Sequence, residues 1–226
     1  MTRIDAVLFD WGDTLFESPH APSVILETAR ARGVTMDARA AEEMWRSLWD
    51  ASKTAEEHAK GRDLSREAHR RVWVELFARE NASIPGIDRA LYDGVMDPTG
   101  WKPYLDSAPT LRALRDRGLR IGIVSNHAFD LRPFFKTHGL DRFIDGYVLS
   151  YEVGAAKPSA RIFAEATRML GIAAQNTLMV GDDAVSDGGA AAAGMQVYIL
   201  PPYEHGAARG LGHVVELVDR SRSERS

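Results

Sequence analysis

The sequence predicts an α/β protein, a doubly wound and mostly parallel sheet with a helical bundle inserted after its first strand. Three observations carry that prediction. Short apolar runs at Ala6–Phe9, 120–124, Gly146–Leu149, 177–180 and 196–200 are each bounded by turn or charge signals, as strands buried in a parallel sheet are. Helical periodicity separates the later runs, at residues 110–117, 131–138 and 160–170. Between the first run and Pro103 no good strand pattern occurs.

The middle of the chain has its own periodicity. Met44, Trp45, Leu48 and Trp49 fall on one helical face, and so do Val72, Trp73, Leu76 and Phe77 after a cap at Ser65. Further helices are expected over 24–31 and 90–96. The aromatic stripes are read as bundle core rather than as a ligand box. From Arg220 onward the chain is polar and patternless, so residues 220–226 are expected to be disordered.

Composition narrows the function. The chain has 226 residues, a formal charge of -4 and no cysteine. A basic excess typical of nucleic-acid binders is missing, and disulfide and thiolate chemistry are excluded. No apolar run is long enough for a membrane span, and residues 1–5 show no signal-peptide pattern. The expectation is a cytoplasmic protein without nucleic-acid or membrane partners, a monomer or homodimer acting on a small molecule.

In open α/β sheets ligands bind beyond the carboxyl ends of the strands. The first strand ends in Asp10-Trp11-Gly12-Asp13-Thr14 and the second in Ser125-Asn126. A loop carries Lys157-Pro158, and the fourth strand ends in Gly181-Asp182-Asp183, followed by Asp187. Carboxylates gathered at one rim repel one another and need a cation to stay ionised. Mg2+ suits an all-oxygen set and keeps places for water and phosphate. An Asp beside it can attack phosphorus and split the reaction through a covalent aspartyl-phosphate. The metal, Lys157 and the Ser125 hydroxyl then stabilise charge on the transferring group.

These motifs, in this order, resemble the haloacid dehalogenase-like hydrolase superfamily over nearly the whole chain, to about Leu211. Asp10 with Thr14 resembles its first motif, Ser125 the second, Lys157 the third, and Asp182 with Asp187 the fourth. The run from Gly181 to Ala190, with Ala193-Gly194-Met195 after it, is similar to the family's fourth-motif region. The resemblance implies a Rossmann-like core of residues 1–16 and 101–219 and a helical cap of residues 17–100. It implies Asp10 as nucleophile, Thr14, Ser125, Asn126 and Lys157 as substrate-binding residues, and magnesium held by Asp10, the Gly12 carbonyl, Asp182, Asp183 and Asp187. The expected function is a magnesium-dependent phosphatase of a small phosphorylated metabolite, and a cap that opens and closes over it.

One departure matters. Phosphatases of the family carry a second Asp two residues after the nucleophile, where this chain has Gly12; an Asp follows one place later, Asp13. General acid–base help is worth about 100- to 10,000-fold in rate. Three readings stay open. Asp13 takes the role, aided by flexible Gly12; another group such as His127 or a cap residue takes it; or the reaction needs no such acid. The last would suit a dehalogenase, which shares the Ser-Asn pair but uses no metal, or a phosphonate-cleaving enzyme, which relies on a cap lysine such as Lys53 or Lys60. A catalytically weak relative kept as a binding protein is the alternative of another class. A signalling receiver domain places its acid pair after the first strand and has no helical insert, so the motif order argues against it.

Several of these residues also have plain structural readings. Asp10 can end a strand, Thr14, Ser125 and Asp187 can cap helices, and Lys157 can be a loop lysine. The arginines Arg66, Arg70 and Arg71 read as a solvated helix face rather than an anion site.

Overall fold

A computed structural model describes residues 2–202 and 206–223. The chain divides into two compact units, one of residues 1–17 with 102–226 and the other Ser18–Trp101.

The first unit is built on a five-stranded sheet. Its strands are β1 (Ala6–Phe9), β4 (Arg120–Ser125), β5 (Gly146–Leu149), β6 (Thr177–Gly181) and β7 (Gln196–Ile199), in the order β5-β4-β1-β6-β7. Every neighbouring pair is parallel, with Phe9 opposite both Ile123 and Val180. Side chains alternate across the sheet. Ala6, Leu8, Val124, Val148 and Met179 join Ile162, Phe163 and Ala166 of helix α9 (Ala160–Leu170) in one buried cluster. The alternate set, Val7, Phe9, Ile121, Ile123, Leu178 and Val180, is equally buried on the other face. A sheet covered on both faces explains why these strands read as unbroken apolar runs. Gly146 sits close under α9: a Cβ there would lie 2.3 Å from Sδ of Met169, so that side chain would have to shift.

Two short strands mark where the chain leaves this unit and re-enters it. Strands β2 (Phe16–Glu17) and β3 (Lys102–Pro103) pair antiparallel, with Phe16 opposite Pro103. This ladder carries the α/β unit one residue further than the expected boundary at 16, and starts the return at 102 rather than 101.

The C-terminal region corrects the expectation of disorder. Helix α10 (Gly212–Ser223) runs three residues past Arg220, so the correction covers 220–223, and residues 224–226 lie outside the described residues. Ser221 is fully buried; its Oγ accepts from Ile4 N–H at 3.1 Å and donates to Val218 O. Arg222 donates to the Arg117 carbonyl at 2.8 Å. The polar pattern hid the helix because its polar side chains bind backbone groups of distant segments rather than water.

The second unit contains α1 (Ala21–Ala31), α2 (Ala38–Ser52), α3 (Ala55–Ala59), α4 (Arg66–Phe77) and α5 (Ile87–Met96). Asp37, Thr54 and Ser65 cap α2, α3 and α4 by accepting from the backbone N–H of Ala40, Glu57 and Ala68. Ile25, Ala41, Leu48, Leu76, Phe77 and Leu91 form its core. The aromatic stripes pack as expected, with one difference: Trp49 is 36% exposed. It stacks between Trp45, at 5.7 Å between centroids, and Trp73, at 6.4 Å, and Lys53 lies over its ring. No helix among the described residues is long and apolar enough to cross a membrane.

Candidate active site

Because β1 lies between β4 and β6, the residues that follow these three strands emerge side by side. Asp10 N–H still donates to Val180 O at 2.9 Å, which places the Asp10 side chain at the rim. The chain then turns tightly. Trp11 O accepts from both Leu15 N and Phe16 N at 3.0 Å, and Asp13 N donates to Phe16 O at 2.7 Å. Trp11 anchors the turn; its ring is fully buried and meets His127, Phe129 and Phe134 edge-on.

Lys157 binds the site together. Its side chain is buried, and Nζ lies 2.8 Å from Asp10 Oδ1 and 2.6 Å from Asp187 Oδ1. Those two contacts use two of the three N–H donors of an ammonium. Burial alone would favour neutral lysine, but the adjacent Asp10 and Asp187 carboxylates outweigh it and hold the ammonium well above its ordinary range. The backbone of Lys157 is fixed as well. Asn126 Oδ1 accepts from Lys157 N at 2.7 Å, and Asn126 Nδ2 donates to Lys157 O at 2.9 Å.

One carboxylate oxygen each from Asp10, Asp182 and Asp187 lies within 4.8 Å of the others. Burial, with the charges of Asp10, Asp13 and Asp187, pushes the Asp182 carboxyl up to about 7 against the opposing pull of Lys157. Three carboxylates around one ammonium leave an excess of negative charge that either a proton or a cation must offset. An all-oxygen set with that excess fits a hard divalent ion such as magnesium. Close packing at Gly181 makes room for the cluster, since a Cβ there would sit 1.9 Å from Asp187 Oδ2.

Several expected residues also make contacts within the fold. Asp183 is outside the acidic trio. Its Oδ1 accepts from Val185 N at 2.9 Å and Ser186 N at 2.6 Å, and these bonds hold its carboxyl below the usual range although burial acts the other way. It shapes the turn that carries Asp187, whose Oδ2 accepts from Asp183 N. Asp183→Ala is therefore expected to lower unfolding free energy by about 1–2 kcal/mol, read from urea denaturation, because two backbone donors lose a charged acceptor. Magnesium affinity, read by calorimetry, should change far less than in Asp182→Ala.

Thr14 was expected to bind substrate. It is fully buried, and its hydroxyl donates to Asp182 Oδ1 at 3.5 Å, so it orients that carboxylate. Asn126 was expected there too, and its side-chain amide engages the Lys157 backbone. Ser125 ends β4, with Oγ 3.0 Å from Nδ1 of His127. Gly12 contributes backbone only and bridges to Phe16. Asp13 has a φ of +53°, the left-handed region, and its charge reaches Asp182. The sequence reading missed Arg209, which donates to the Asp13 carbonyl from 196 positions away. No motif or periodicity signals such a contact.

Comparison with known proteins points to one family. Residues 4–194 match the family model of haloacid dehalogenase-like hydrolases. A glyceraldehyde 3-phosphate phosphatase of Methanopyrus kandleri is 32% identical over 79% of this chain and 76% of its own. Haloacid dehalogenase-like hydrolase domain-containing protein 3 of Bos taurus is 28% identical over 88% of this chain and 83% of its own. A crystal structure of a dehalogenase superimposes with a TM-score of 0.71 at 22% identity, covering 96% of this chain and 98% of that one.

Proposed function

Since the chain belongs to the haloacid dehalogenase-like hydrolase family, we propose that it is a magnesium-dependent phosphatase of a small phosphorylated metabolite, with Asp10 as nucleophile. The observation that carries this reading is the trio Asp10, Asp182 and Asp187 gathered around Lys157, a set that fits a divalent cation as well as a phosphoryl group. The phosphatase named among the relatives supports the choice of bond.

Magnesium would be held by Asp10, Asp182 and the Gly12 carbonyl, with Asp187 holding Lys157 beside them. When bound it supplies Lewis acidity towards a phosphoryl oxygen. The residues of the chain do the rest. The Asp10 carboxylate attacks phosphorus, forming an O–P bond as the bond to the leaving alkoxide breaks. Lys157 and the Ser125 hydroxyl, backed by His127, bind the phosphoryl oxygens. Asp13 gives its proton to the leaving oxygen and then takes one from the water that hydrolyses phospho-Asp10. The helical unit, residues 17–100 in the sequence reading, acts as a cap that excludes bulk water.

The test is a screen of phosphorylated metabolites with and without magnesium, with 2-haloacids alongside and Asp10→Asn as control. Magnesium-dependent phosphate release that vanishes in Asp10→Asn is expected. Halide release without metal would replace the phosphatase reading with the dehalogenase one, which the Gly12 substitution favours. A ligand that raises the melting temperature with no turnover would favour a binding protein.

Asp182 gives this reading a pH signature. It releases its proton near 3.8 in the unfolded chain and near 7 in the fold. Between these values the native state holds a proton that the unfolded state has lost, so the stability from this group is complete below the lower value and disappears as pH rises through the upper. Magnesium favours the ionised form. The rise in melting temperature on adding magnesium should therefore grow from about pH 5 to about pH 8. A rise of equal size across that window would count against Asp182 as a ligand.

A further inference from the structure

Asp13 is fixed at both of its peptide groups. On one side its N–H donates to Phe16 O at 2.7 Å. On the other its carbonyl accepts from Arg209 Nε at 2.6 Å. Fixing both peptides fixes φ and ψ, and with them the direction in which Cβ leaves the backbone. That matters here because Asp13 adopts a φ of +53°. The left-handed conformation costs an L-residue about 1–2 kcal/mol, Asp and Asn being the more tolerant ones, so the loop needs an external hold to keep it.

Arg209 is built for that task. It is only 3% exposed, and its Nη1 donates to Pro201 O at 2.6 Å while Nε holds Asp13. One guanidinium thus joins two separate stretches of chain, which a lysine with its single nitrogen cannot reproduce with the same geometry. The segment around Arg209 is anchored in turn. Asp106 Oδ1 accepts from Arg209 N at 2.9 Å, and Asp106 Oδ2 accepts from Gly210 N and Leu211 N, each at 2.8 Å. The ring of Tyr104 lies 6.0 Å from the guanidinium carbon. A strut therefore runs from Asp106 through Arg209 to the Asp13 carbonyl.

We propose that Arg209, seated by Asp106, is the positioning residue of the active-site loop: by gripping the Asp13 carbonyl it keeps Asp13 in the left-handed conformation, and with it the direction in which the Asp13 side chain leaves the loop that follows Asp10. The assignment deepens the phosphatase reading and rests on it for its kinetic consequence. Arg209 itself touches no reacting atom.

Two measurements test the assignment. The first is the crystal structure of Arg209→Gln, in which Asp13 φ is expected to leave the positive region; a φ that stays near its original value overturns the proposal whatever the activity. The second is a kinetic cycle on the best substrate of the screen. Misplacing a catalytic group by about 1 Å costs about 100-fold, so Arg209→Gln should lower kcat by about that factor with KM changed less than about twofold. Asp13→Asn should lower kcat by at least as much, and the double variant should be no worse than Asp13→Asn alone. Additive losses would mean that Arg209 acts through something other than Asp13 and would overturn the proposal. If Arg209→Gln does not fold, Asp106→Asn and Arg209→Lys carry the same φ measurement and the same cycle. Wild-type protein that turns over no phosphorylated compound, or turnover that survives Asp10→Asn, would remove the phosphatase reading instead, and the Asp13 φ would still decide the role of Arg209.

Discussion

Asp10→Asn is expected to lower kcat by more than about 1,000-fold while costing far less stability than loss of Lys157 does. The first half follows from chemistry. An amide cannot deliver the carboxylate oxygen that forms the covalent intermediate, and loss of a nucleophile typically costs more than any other single change at an active site. The second half follows from electrostatics. Asp10 is, after burial, the largest contributor to the raised proton affinity of Asp182. Replacing it with a neutral isostere loses one ion pair to Lys157 but relieves repulsion in the cluster, which offsets part of that loss, and still leaves Lys157 its bond to Asp187. Steady-state kinetics and thermal melts without added metal read the two halves separately. A variant that is both inactive and markedly less stable would mean that Asp10 holds the rim together instead of attacking.

Lys157→Met should be the more damaging change to the fold. The ammonium is buried between two carboxylates, and breaking a buried pair by removing one partner typically costs about 3–5 kcal/mol because the other charge is left uncompensated. Here two carboxylates lose their partner at once. Urea denaturation near neutral pH should show a loss in that range, together with loss of turnover. The deficit should shrink at about pH 5, where the orphaned carboxyls can take up protons. Adding Asp10→Asn to Lys157→Met should restore part of the stability, since it removes one of the stranded charges. A double variant less stable than Lys157→Met would contradict the idea that repulsion is the cost.

The strands and the acidic rim were legible for one reason. A parallel sheet buried on both faces leaves apolar runs, and the residues after those runs have only one place to go. That logic locates Asp10, Lys157, Asp182 and Asp187 without any knowledge of side-chain direction. It fails one step further in, where direction decides. Asp182 and Asp183 are adjacent in sequence, yet one points at the cluster and the other at the N–H groups of its own turn. Asn126 follows Ser125, yet its amide serves the Lys157 backbone. Thr14 faces Asp182 from within a closed turn. Each choice is made by a hydrogen bond that neither periodicity nor spacing encodes. Arg209 and α10 lay further out of reach, because their partners are backbone atoms of segments roughly two hundred positions upstream.

The strand order has a consequence for how the polypeptide is made. Strand β1 is the middle of its sheet, but its two neighbours begin at Arg120 and Thr177. As the chain emerges from a ribosome, Ala6–Phe9 must wait for more than a hundred further residues before either edge is covered. The intervening helices, whose contacts are local, can form first. An apolar strand with both edges open is an invitation to aggregate, so slowing elongation between these two neighbours, or tethering the chain to the ribosome after residue 170, should hold the protein in a state that chaperones recognise.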